Sequence, residues 1–256
     1  MSQLYNVVSS IFYVEYSYRP ESYKVIIFPS KTEPCAGAIV ILHGWGANCR
    51  DLVSLADSLT TNGFRFLFPE GPFDVPGTSG EGKGWFAFPP TESFETERQK
   101  SRSEIFQILD DLKREGVPSD RIFLIGFSQG ASMCLDVALN YKHRVAGVAV
   151  LSGFLMDQEI LPDRNDLPIS LPIFWGHGLY DPLIPIKLGK QSRHALVDAG
   201  FHVEWHEYPM AHQIVPEELE DVRQFLDELF PNSDKAVRQL PARHRQSGGT
   251  DPCGKS

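Results

Sequence analysis

A serine with a glycine two residues away on each side, Gly126-Phe-Ser128-Gln-Gly130, is where this 256-residue chain most clearly offers chemistry. A serine hydroxyl is a poor nucleophile until a turn exposes it and a base takes its proton. The turn must be so tight that the residues two before and two after the serine are nearly free of side chain, a demand that Gly126 and Gly130 meet. The residues before it, Ile122 to Phe127, read as a short apolar strand, and Ala131 to Tyr141 read as a helix. Strand, sharp turn and helix make the setting of a nucleophile elbow.

A histidine must receive the proton, and a carboxylate must fix the tautomer of that histidine. At such an elbow the companions follow in the order acid, then histidine, each in a loop after a strand. Asp181 fits the acid: an apolar strand ending at Trp175 leads into Gly176-His-Gly-Leu-Tyr-Asp181-Pro-Leu-Ile-Pro185, a loop pinned by proline. An aspartate before proline is also an ordinary turn residue, and Asp157, Asp163 and Asp166 compete from a less constrained loop. His212 fits the base, in Pro209-Met-Ala-His212-Gln after a strand and before a helix that Pro216 can open. Of the eight histidines, His43, His177 and His212 are expected in loops just after strands, the first two as structural hydrogen-bonding groups. Oxyanion donors must be backbone N–H groups aimed at the developing charge. Gln129, next after the nucleophile, offers one. The loop His43-Gly44-Trp45-Gly46 offers the other, expected at Trp45.

The elements needed to hold these residues alternate. Residues 11–18 and 22–29 are rich in β-branched and aromatic side chains and predict an antiparallel hairpin about Arg19-Pro20-Glu21. Ala38 to Leu42 is a buried, parallel-type strand. A helix is expected from about Arg50 to Asn62, a strand from Phe64 to Phe68, and a Gly/Pro-rich loop from Glu70 to Pro90. Residues 97–115 form an amphipathic helix with Ile105, Ile108, Leu109 and Leu112 on one face. Strands at Val145–Leu151, Pro172–Trp175 and Val203–Tyr208 alternate with helices near 186–199 and 217–229. The fold class is α/β: a mainly parallel sheet with an N-terminal antiparallel hairpin and helices on both faces. Residues 1–231 form one domain. Residues 232–256, net +3 against –12 for the rest, have no aromatics and are expected to be a disordered tail.

The net charge of –9 argues against nucleic acid and anionic membrane surfaces as main partners. No apolar run approaches the ~18–20 residues of a membrane span, and no signal peptide is read at the N-terminus. The four cysteines have neither CxxC nor metal-ligand spacing, which suggests a reducing, cytoplasmic setting. No metal or cofactor is called for. A homodimer is compatible with the sequence, without a specific signal for one.

The stretches Leu42-His-Gly-Trp-Gly46, Gly126-Phe-Ser-Gln-Gly130, His177-Gly-Leu-Tyr-Asp181-Pro-Leu-Ile-Pro185 and the His212 loop resemble the phospholipase/carboxylesterase family of α/β-hydrolases, which includes the acyl-protein thioesterases. The resemblance implies the α/β-hydrolase fold, Ser128 as nucleophile, Asp181 as acid, His212 as base, and oxyanion N–H groups at Trp45 and Gln129. It implies hydrolysis of carboxylic esters, with thioesters or lysophospholipids as substrates in some members. Relatives commonly carry an aspartate after the aromatic pair Trp85-Phe86, where this chain has Ala87. Phe73, Trp85, Phe86 and Phe88 are candidate pocket residues, or else aromatics that anchor the loop. The expected activity is a serine carboxylesterase acting on a small-molecule or lipid ester. The alternatives are an acyl-protein thioesterase or lysophospholipase, and a hydrolase-fold binding protein without catalysis.

Overall fold

The computed structural model describes residues 7–8, 11–12, 14–16, 24–32, 35–59, 63–157, 161 and 171–231. Asp163, Asp166 and the expected tail at 232–256 lie outside these residues. In chain order the elements are β1 (Val7–Val8), β2 (Ile11–Phe12), β3 (Val14–Tyr16), β4 (Val25–Phe28), β5 (Gly37–Leu42), α1 (Leu55–Leu59), β6 (Phe64–Pro69), β7 (Phe73–Asp74) and β8 (Lys83–Gly84). There follow α2 (Phe94–Arg114), β9 (Ile122–Phe127), α3 (Gln129–Asn140), β10 (Gly147–Leu151), β11 (Ile173–Gly178), α4 (Ile186–Asp198), β12 (Val203–Tyr208) and α5 (Pro216–Leu229).

An eight-stranded sheet has the order β12-β11-β10-β9-β5-β6-β4-β3. The six strands from β12 to β6 run parallel, and β4 and β3 add to the β6 edge antiparallel. Parallel strands covered on both faces need apolar residues at every position. β5 supplies them: Ala38, Val40 and Leu42 enter one core with residues of α2, α3 and α4, while Ile39 and Ile41 enter the other with residues of α1 and α5. Ile105, Ile108, Leu109 and Leu112 of α2 are all buried. Burying each such side chain contributes about 1.5–3 kcal/mol, so both helix layers are fastened to the strands that carry the elbow. No helix among the described residues is long and apolar enough to cross a membrane.

Three local expectations change. The segment 11–18 is divided: Ile11–Phe12 pairs with Val7–Val8, and Val14–Tyr16 pairs with Val25–Phe28. Of the helix expected over 50–62, residues 60–62 lie outside the described residues, residues 50–54 are not α-helical, and Leu55–Leu59 is. Just before it, Asn48 N–H donates to the Asp51 carboxylate (2.6 Å) and Arg50 N–H to the Asn48 side-chain oxygen (2.9 Å). Such side-chain bonds offer the backbone an alternative to the helix. His177 lies within β11 rather than in a loop, because pairing with β12 continues through Gly178↔Tyr208. The Gly/Pro-rich stretch 70–90 contains the short pair β7–β8.

Candidate active site

Ser128 sits between β9 and α3 with φ 56° and ψ –119°. That positive φ is uncommon for a residue with a side chain and stores strain. Its N–H donates to Leu151 O (2.8 Å), which fixes the turn to β10. A Cβ on Gly126 would collide with the Gly130 backbone, and one on Gly130 with the Leu42 and His43 carbonyls. The elbow therefore closes only if both flanking residues are glycine.

His212, in the loop after β12, reaches back over the sheet. Its Nε2 lies 2.8 Å from Ser128 Oγ and its Nδ1 2.7 Å from Asp181 Oδ2. The Asp181 side chain is fully buried. Burial pushes its carboxyl up, but bonds from His212 and from the Ile184 and Leu183 N–H groups prevail and hold it below its ordinary value. An ionised carboxylate only accepts, so Nδ1 carries the proton and Nε2 is left to accept from the serine hydroxyl. Asp181 Oδ1 accepts from Leu183 N–H and Ile184 N–H, both 2.9 Å, so both oxygens are engaged. The Phe127 ring packs against the imidazole, with centroids 4.8 Å apart. Of the competing acids, Asp157 lies 3.8 Å from the Arg98 guanidinium.

The two other histidines singled out in the sequence pin loops. His177 Nε2 bonds Ile184 O (2.8 Å), and its Nδ1 accepts from the Trp175 indole N–H (3.4 Å). Burial lowers its pKa, and the neutral ring ties the Asp181 loop to β11. His43 Nε2 accepts from Gly71 N–H (3.0 Å), so Nδ1 donates to Gly44 O (2.8 Å). Burial lowers its pKa too, and the neutral ring braces the loop that bears Trp45.

A cavity of about 330 Å³ opens at Ser128. Trp45, Phe86, Phe88, Phe127, Phe154, Leu183 and Ile184 make it predominantly apolar, and Gln129 and His212 also line it. Phe88, at 49% exposure, and Leu183, at 66%, stand out to solvent. Neither the Trp45 nor the Gln129 backbone N–H is taken by a hydrogen bond among the described residues. Two expected pocket residues lie elsewhere. Trp85 is buried with its indole N–H donating to His43 O (2.8 Å), so it braces the Trp45 loop instead of lining the cavity. Phe73 lies beneath the Lys100 ammonium, 5.1 Å from the ring centroid, away from the lining residues. Leu183 and Ile184, which the sequence shows as apolar neighbours of Asp181, were the lining residues that loop could have announced. The Gln129 side chain, described below, carries no sequence signal of its task.

The chain matches the profile of the family described as Phospholipase/Carboxylesterase over residues 23–230. It is 31% identical over 225 residues to acyl-protein thioesterase 1 of Debaryomyces hansenii, covering 77% of this chain and 93% of that protein. It is 30% identical over 217 residues to acyl-protein thioesterase 1 of Saccharomyces cerevisiae, covering 77% and 94%. Among solved structures, Arabidopsis thaliana SOBER1 superposes with a TM-score of 0.67 at 25% identity, covering 76% of this chain and 99% of that one.

Proposed function

This chain belongs to the phospholipase/carboxylesterase family of α/β-hydrolases and is a serine esterase; from that premise we propose that it hydrolyses carboxylic esters by two acyl transfers through Ser128. The observation that carries the reading is the unbroken sequence of hydrogen bonds from Ser128 Oγ through His212 to Asp181. Ser128 Oγ attacks the ester carbonyl as its proton passes to His212 Nε2. The carbonyl π electrons move onto oxygen, toward the Trp45 and Gln129 N–H groups. Collapse expels the alcohol, which takes the proton from His212 and leaves an acyl-serine. Water then attacks that carbonyl, again giving its proton to His212, which returns it to Ser128 Oγ as the acid departs. Asp181 keeps His212 in the accepting tautomer and stabilises the imidazolium.

The apolar cavity suits the acyl side of the substrate, and its volume is near the lower end of the ~300–1,000 Å³ typical of ligand pockets. A second reading, thioester hydrolysis on an acylated protein, draws support from the names of the curated relatives. Free thiols at Cys35, Cys49 and Cys134 support a reducing, cytoplasmic setting. Ser128→Ala is expected to lower p-nitrophenyl butyrate turnover by about 10³-fold or more. A folded variant that turns over at the wild-type rate would remove Ser128 from the mechanism. Turnover of a palmitoyl thioester beside that of the butyrate ester decides between the two substrate classes.

A further inference from the structure

Resting on Ser128 acyl transfer as just described, we propose that residues 83–86, clasped by the Gln129 side chain, are a positioning strap that sets the spacing of the two oxyanion N–H groups. These donors come from different loops, Trp45 after β5 and Gln129 after β9. Neighbouring strands place them near each other, but oxyanion stabilisation demands closer tolerance than strand spacing gives, within about half an ångström.

The strap bonds to both loops. On the Trp45 side, Gly46 N–H donates to Lys83 O (2.9 Å) and Lys83 N–H to Ala47 O (2.7 Å). These two bonds grip the residues immediately after Trp45. On the elbow side, Trp85 N–H donates to Gln129 Oε1 (2.8 Å), and Gln129 Nε2 donates to Phe86 O (2.8 Å). The Gln129 amide thereby imitates a strand partner, using one donor and one acceptor on consecutive residues. The Trp85 indole N–H adds its bond to His43 O (2.8 Å). Ser101 Oγ donates to Trp85 O, which anchors the strap from α2. Between the two sets lies Gly84: a Cβ there would overlap the Trp45 ring and approach Gln129 Oε1. The strap thus touches both donor residues at one point, where only glycine fits.

Gln129 then serves twice. Its backbone N–H faces the developing charge, and its side chain holds the neighbouring donor's loop in register. The second task differs from anchoring a pocket wall. A wall anchor would alter ground-state binding and chain-length preference. A spacer of oxyanion donors acts only where negative charge has formed, so its loss falls on kcat.

The test is Gln129→Met, which keeps the backbone N–H and the side-chain length but removes both amide bonds. With p-nitrophenyl butyrate, kcat is expected to fall by about 10- to 100-fold with KM within threefold, the scale of a catalytic group displaced by about an ångström or less. An alkyl trifluoromethyl ketone adds Ser128 Oγ to its carbonyl and places an oxyanion in the same position. Its affinity is expected to weaken in parallel with kcat/KM. If kcat and ketone affinity both stay within threefold of wild type, or if only KM moves, the strap is not a spacer. Should Gln129→Met fail to fold, Trp85→Phe serves: it removes the indole bond to His43 O together with part of the buried ring that packs on His43, and is expected to show the same kcat-weighted loss in milder form, and unchanged kcat there overturns the proposal. Wild-type turnover by Ser128→Ala takes the strap down with the acyl-transfer reading, whereas an inactive Ser128→Ala beside a fully active Gln129→Met overturns the strap alone.

Discussion

Asp181 has no spare oxygen: one accepts from two backbone N–H groups and the other from His212. An asparagine there must turn its oxygen toward the two N–H groups, which leaves its NH₂ facing His212 Nδ1. That nitrogen then has to accept, so the imidazole proton moves to Nε2 and confronts Ser128. Asp181→Asn is accordingly expected to fold but to lose about 10⁴-fold in kcat, the scale of a wrong tautomer in a serine protease triad. Steady-state ester hydrolysis beside a melting curve measures it, and a loss under tenfold would mean that Asp181 does not orient the base. Ser128, Asp181 and His212 were legible in the sequence because each follows a recognisable strand, apolar before Ser128 and Asp181 and rich in β-branched and aromatic residues before His212. The tasks of Trp85 and the Gln129 side chain were not, since their bonds join residues 44 and 43 positions apart. A local pattern cannot report such partners, and Trp85 looked like any aromatic in a loop.

At the level of elements, the elbow is the junction with least latitude. Gly130 lies in the first turn of α3, where a Cβ would strike the carbonyls that end β5 and start the Trp45 loop. Gly130→Ala forces a methyl group into backbone that has nowhere to move. It is expected to cost about 1–3 kcal/mol, the usual range for overpacking. Because the displaced carbonyls adjoin Trp45, the proposed oxyanion donor, activity should suffer more than stability. Fluorophosphonate labelling of Ser128 alongside urea denaturation separates the two effects, and a variant that labels at the wild-type rate would contradict the packing argument. The strands and long helices were readable from periodicity and apolar runs. The shortened α1 was not, because the turn formed by Asn48 and Asp51 competes with the helix through side-chain bonds that composition does not reveal.

For the molecule as a whole, Glu218 is a liability that pH exposes. It lies at the start of α5, completely buried against Gly176, and neither carboxyl oxygen has a hydrogen-bond partner among the described residues. Burial pushes its pKa from 4.5 up to about 8; the Val215 N–H lowers it somewhat without completing a hydrogen bond, and nearby Asp221 raises it further. The folded protein therefore keeps this proton through a range in which the unfolded chain has released it. Stability contributed by the protonated form falls as pH rises from 4.5 to about 8 and is lost above that. Glu218→Gln should flatten this decline, gaining on wild type at pH 9 while matching it near pH 5. Urea midpoints at pH 5, 7 and 9 check it, and parallel curves for the two proteins would show that the buried carboxyl is not holding a proton.

Within the sheet, β5, β9, β10, β11 and β12 lie side by side in the order in which they occur in the chain. Trp45, Ser128, Asp181 and His212 follow four of those strands, so the site is written across the molecule in the direction of synthesis. A ribosome delivers Trp45 and Ser128 first, Asp181 next and His212 last. A nascent chain that has emerged to residue 205 already owns Ser128, yet lacks His212, the base of the proposed mechanism. His212 arrives only just ahead of α5, whose Val222, Phe225 and Leu226 close one of the two cores. On the proposed mechanism, chemical competence and completion of the fold are thus scheduled together, and a half-made chain carries its serine disarmed.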